Sequence, residues 1–138
     1  MQIVNGVPTL EEADPAYRMK EYSEALAPGS WTKVNTSGAW SDYVGGGGYR
    51  NGFWYRREMG GLRISGMVKG GSANSEIVNL NLNSVELRPG YSRLFPVSTS
   101  GGFAEVQYDA ATAGHRIVYR SGPAAPTYVS IDFFIPYS

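Results

Sequence analysis

The sequence contains no cysteine, which excludes disulfides and thiolate metal sites and suits a chain made in a reducing cytoplasm. Histidine is nearly absent: His115 is the only one. A histidine-built metal site is therefore impossible within one chain, and only threefold assembly could bring three imidazoles together on an axis. Charge is sparse at 17% of residues, the formal net charge is zero, and only three of the twelve bases are lysine. That composition lacks the basic footprint of a nucleic-acid binder. No apolar run approaches the ~20 residues of a membrane span. The opening MQIVNGVPTLEEAD lacks the basic region and apolar stretch of a secretory signal.

What is present is glycine (18 residues) and aromatic rings (13%), in a chain of 138 residues with 42% hydrophobic content. This length supports one domain with one core. Charge divides along it. Five acids and two bases lie before Gly29, and the remainder carries ten bases and seven acids.

Residues 1–29 read as a docking segment with a short helix. Asp14 is a fitting N-cap, Pro15 suits the first helical position, and Pro28-Gly29 ends the helix. Met19, Tyr22 and Leu26 form an apolar stripe too short to hold alone in water, so it must pack on something.

Residues 30–138 read as strands between glycine turns. Leu62, Ile64 and Val68 share one face of a segment broken by Gly66. Val78, Leu80 and Leu82 alternate with asparagines, and Ala104, Val106 and Tyr108 alternate with Glu105 and Gln107. Val129, Ile131, Phe133 and Ile135 alternate with Ser130 and Asp132 in the cleanest period-2 run. Short strands at this spacing predict an all-β, antiparallel sandwich or barrel, with no βαβ unit for nucleotide binding.

The densest stretch is SDYVGGGGYRNGFWYRREMGG, residues 41–61. No lysine or hydroxyl follows Gly45–Gly48 in the place a phosphate loop requires, and the continuation reads as a strand. Seven aromatics lie between Trp31 and Tyr55, interleaved with Arg50, Arg56 and Arg57. Alternation turns half of them, Phe53 and Tyr55 among them, toward a core. The rest, with Tyr43, Tyr49, Arg50 and Trp54 foremost, suit a sugar or a protein partner, since flat rings with polar tips give contact area at little entropic cost. Arginine among aromatics also suits single-stranded nucleic acid, which the neutral charge disfavours.

Catalytic machinery is not legible. A triad would require His115 with Ser121 or Ser130 and Asp109 or Asp132, and no nucleophile-elbow motif surrounds either serine. Spacing selects no carboxylate pair from Asp42, Glu58, Glu76, Glu86, Glu105, Asp109 and Asp132. These acids read as solvated strand and loop charges. No enzyme activity and no cofactor are expected.

The order YRREMGGLRISGMVKGGS, ELRPGYSRLFPV, FAEVQYDAATAGHRIVYRSG and YVSIDFFIPYS resembles the C-terminal β-domain of tailed-bacteriophage minor tail and fibre proteins and related head-decoration knobs. The likeness covers residues 31–138. Its marks are Tyr55-Arg56-Arg57 before Gly60-Gly61, mid-strand Gly66, and the turn Arg88-Pro89-Gly90-Tyr91. It implies a jelly-roll-like, homotrimeric β-knob on the virion surface, a structural protein rather than an enzyme. The alternative it carries is a receptor-binding module for host surface glycan. Fibre proteins have a long shaft before this domain, and only about 30 residues precede it here, which points to a head fibre or a very short tail appendage. Ile3, Val4, Val7, Leu10, Tyr17, Met19, Tyr22 and Leu26 are then the expected contacts to capsid or tail proteins.

Overall fold

The computed structural model describes residues 28–82 and 88–138. The expected helix and all eight expected docking residues lie outside them.

The described chain is all-β. Nine strands run in sequence: β1 (Thr32–Val34), β2 (Ser41–Asp42), β3 (Gly52–Glu58), β4 (Gly61–Lys69), β5 (Ser75–Asn79), β6 (Arg93–Thr99), β7 (Gly102–Asp109), β8 (Arg116–Ser121) and β9 (Val129–Pro136). They form one sheet in the order β1-β3-β4-β9-β6-β7-β8-β5, with β2 beside β4, and every strand pairing is antiparallel. The expectation of a sandwich thus takes the form of a single sheet that nearly closes on itself. Its two ends meet where Thr36 bridges Val78 and the Ser37 amide donates to the Ile77 carbonyl at 2.8 Å. Near closure leaves little free strand edge.

The period-2 pattern decides which side is inside. Ile131, Ile135, Leu62, Ile64, Val106, Ile117 and Tyr119 are wholly buried in one cluster, while Asp132 and Glu105 face out. Trp40 helps to close the barrel. Its ring meets Tyr119 edge-on at 4.9 Å, and its indole N–H donates to the Ser75 hydroxyl at 2.8 Å.

Gly66 is required where it stands. It has φ +141°, and a Cβ there would lie 1.9 Å from the Gly52 carbonyl oxygen on β3. Only glycine permits that approach, and it sets how closely β3 runs beside β4.

The wall is weakest between β6 and β9. Backbone pairing there is limited to Ser98 with Ser130 and Thr99 with Val129, whereas β9 pairs β4 from Gly61–Pro136 through Val68–Val129.

Candidate functional site

The outer face of β4 and β9 forms the floor of a groove of about 500 Å³. Its register follows from the pairing. Asp132 on β9 lies opposite Ser65 on β4, and Ser65 lies opposite Trp54 on β3. In the next row Ser130 lies opposite Met67. The Gly45–Gly48 stretch turns the chain back so that Gly48, Tyr49 and Arg50 wall one side. Gly47 and Gly48 have φ of +83° and +80°, a left-handed pair that residues with a Cβ rarely adopt.

Arg50 is fixed by aromatic rings rather than by acids. Its guanidinium lies 4.5 Å from the Trp31 ring centre and 5.5 Å from that of Trp54. Arg56 approaches Trp31 at 4.6 Å, and the Trp54 indole donates to the Asn51 carbonyl at 2.8 Å. Each exposed cation–π contact contributes about 0.5–1 kcal/mol. Together they hold the glycine turn at its C-terminal end.

A smaller depression of about 260 Å³ continues the groove across the β9–β6 seam. It is lined by Pro96, Val97, Ser98 and Phe103, and it shares Ser130 and Asp132 with the first. Phe103 is 83% exposed.

Of the four residues expected at a ligand surface, Tyr49 and Arg50 line the groove, and Trp54 adjoins it through Arg50. Tyr43 does not line it. Its ring meets Tyr128 edge-on at 6.4 Å and lies against Gly45, and its backbone N–H donates to Met67. Ser65, Met67, Ser130, Asp132 and Phe103 were not expected there. The outward placement of Ser130 and Asp132 was visible in the alternation of the last strand, but their pairing with residues more than sixty positions away was not.

Of the other polar candidates, Glu86 lies outside the described residues, and Asp109, Glu58, Glu76, Asp42 and His115 are engaged elsewhere. Asp109 accepts from Arg116 at 2.7 Å, Thr112 at 2.8 Å and the Ala111 amide at 2.9 Å. Burial pushes its pKa up, but these donors prevail and hold it at about 2. Glu58 pairs with Arg56 and Arg63, Glu76 accepts from Ser37 and lies near Arg116, and Asp42 pairs with Lys33. His115 is buried with φ +61°, its Nδ1 against the Tyr108 hydroxyl, which also donates to the Pro89 carbonyl at 2.8 Å. Burial and the nearby Arg88 push the imidazole pKa down. Among the described residues, therefore, His115 meets a tyrosine and not a serine. No group of three or more His, Asp or Glu side chains there could hold a metal ion.

Comparison with known proteins returned no match: no family model fits the chain, and no curated protein or solved structure aligns with it significantly.

Proposed function

We propose that this chain is a non-enzymatic carbohydrate-binding knob, displayed on a tailed-phage particle and attached through residues 1–29. The observation that carries the binding reading is the groove itself. Ser65, Ser98, Ser130, Asp132 and Arg50 line the groove and its extension, together with the exposed rings of Tyr49 and Phe103. Sugars take this combination: hydroxyls bond to short polar side chains, and the apolar face of the sugar ring lies on an aromatic one. The groove is open, which suits reversible adhesion to a surface.

The non-enzymatic reading is supported by the ion pairs that occupy Asp42, Glu58, Glu76 and Asp109 and by the tyrosine contact of His115. The virion placement and the homotrimer rest on the sequence likeness over residues 31–138.

The experiment is binding of the labelled full-length protein to a printed glycan panel and to bacterial cells. Tyr49→Ala and Trp54→Ala abolish binding while the melting temperature is retained. Unchanged binding by both variants would refute the site. A chain starting at Ser30 keeps its sugar binding and loses attachment to particles, and normal attachment by that chain would refute the anchoring role.

A further inference from the structure

The two depressions differ in size, but they are not separate sites. Ser130 and Asp132 belong to both. The register lines up Phe103, Ser98, Ser130 and Met67 in one outward row across β7, β6, β9 and β4. Three strand spacings of ~4.8 Å separate β4 from β7, so the row spans roughly 14 Å. That is long for one sugar ring and suits several linked ones.

Resting on the carbohydrate reading above, we propose that the ligand is a linear, uncharged oligosaccharide. It lies across the strands with one ring against Tyr49 and another against Phe103. The ends are fixed by the exposure of the two rings, 58% for Tyr49 and 83% for Phe103. A large apolar ring left in water beside a hydroxyl-lined depression is a platform for the face of a sugar.

The middle determines the charge of the ligand. Asp132 is exposed, makes no hydrogen bond or ion pair with the described residues, and stands where the depressions meet. A free carboxylate accepts from two neighbouring sugar hydroxyls and repels an acidic sugar. Arg50, held between Trp31 and Trp54 at the Tyr49 end, donates to hydroxyl or ring oxygens. The seam contributes as well. Pro96 has no N–H to present at the weakly paired β6–β9 junction, so the floor there is shaped by side chains.

The test is calorimetric titration of the full-length protein with oligomer ladders of glucose, galactose and N-acetylglucosamine, from one ring upward, and with uronic-acid oligomers of matching length. Affinity for at least one neutral ladder rises with length and then levels off. Phe103→Ala weakens the longest oligomer about tenfold and flattens the length dependence. Asp132→Asn narrows the gap between neutral and uronic-acid oligomers. Full affinity at one ring, or no effect of Phe103→Ala on the longest oligomer, overturns the linear ligand while leaving sugar binding in place. Tighter binding of the uronic-acid oligomers overturns the neutral class. Binding to none of the ladders overturns both this inference and the carbohydrate reading.

Discussion

Phe95 and Phe133 stack face to face, with ring centres 4.3 Å apart and planes 9° from parallel. The pair bridges the seam where the neighbouring strands β6 and β9 share only two residue pairs. Side-chain packing thus joins the walls beside a short run of backbone pairing. Phe133→Ala removes the inner partner, and large-to-small core changes of this kind cost about 3–5 kcal/mol. Urea unfolding should show a loss of that size. Amide exchange should speed up first along Arg93–Val97.

Gly66 gives a sharper stability test. Gly66→Ala places a methyl group 1.9 Å from the Gly52 carbonyl and forces an L residue to φ +141°. Strain of this type costs about 1–3 kcal/mol before the clash is counted. Gly90→Ala, whose added Cβ meets nothing within 4 Å, is the control and should leave the urea midpoint within about 0.5 kcal/mol of the wild type.

Acid should destabilise the protein in two steps. The pKa of His115 is lowered in the folded state, so the unfolded chain takes up the proton first. Its contribution is complete above the ordinary value of 6.5 and declines as pH falls from there toward the lowered folded value. Asp109 follows: its contribution is complete above 3.8 and is lost as pH falls toward about 2. His115→Asn tolerates the positive φ and should remove the first step alone. A pH series of urea midpoints for the two proteins checks this.

Arg50→Ala should free the glycine turn without unfolding the barrel. The lost contacts to Trp31 and Trp54 are at the surface, so global stability should fall by at most about 1–2 kcal/mol. NMR order parameters at Gly46–Gly48 should fall, while those of β4 and β9 stay constant.

Much of the barrel was legible in the sequence because burial imposes period 2. The alternation of Val129, Ile131, Phe133 and Ile135, and of Ala104, Val106 and Tyr108, gave those strands with the correct inward face. The glycine stretch was legible as a turn before a strand. Sheet order was not, because β9 comes last in sequence yet pairs with β4 near the middle, and no local pattern encodes a partner that distant. The site was half legible for the same reason. Tyr49 and Arg50 announced themselves by composition. Ser65, Ser130 and Asp132 are ordinary polar positions until the β4–β9 register brings them together. Tyr43 packs edge-on against Tyr128 outside the groove, a neighbour that ring chemistry alone does not encode.

Assembly has its own readout. A homotrimer predicts a solution mass three times the 15.0 kDa of the chain by light scattering. A monomer at the concentrations used for binding would contradict that assembly and leave the groove's chemistry to be tested by itself.

The central claim is that the outer face of β4 and β9, beneath the glycine turn, takes sugar. The most direct measurement is a two-dimensional amide NMR titration of the isotope-labelled protein with the best-binding oligosaccharide. The account predicts shifts concentrated at Tyr49, Arg50, Ser65, Met67, Ser130 and Asp132, extending to Ser98 and Phe103. Shifts confined to another face, or none at saturating ligand, would contradict it.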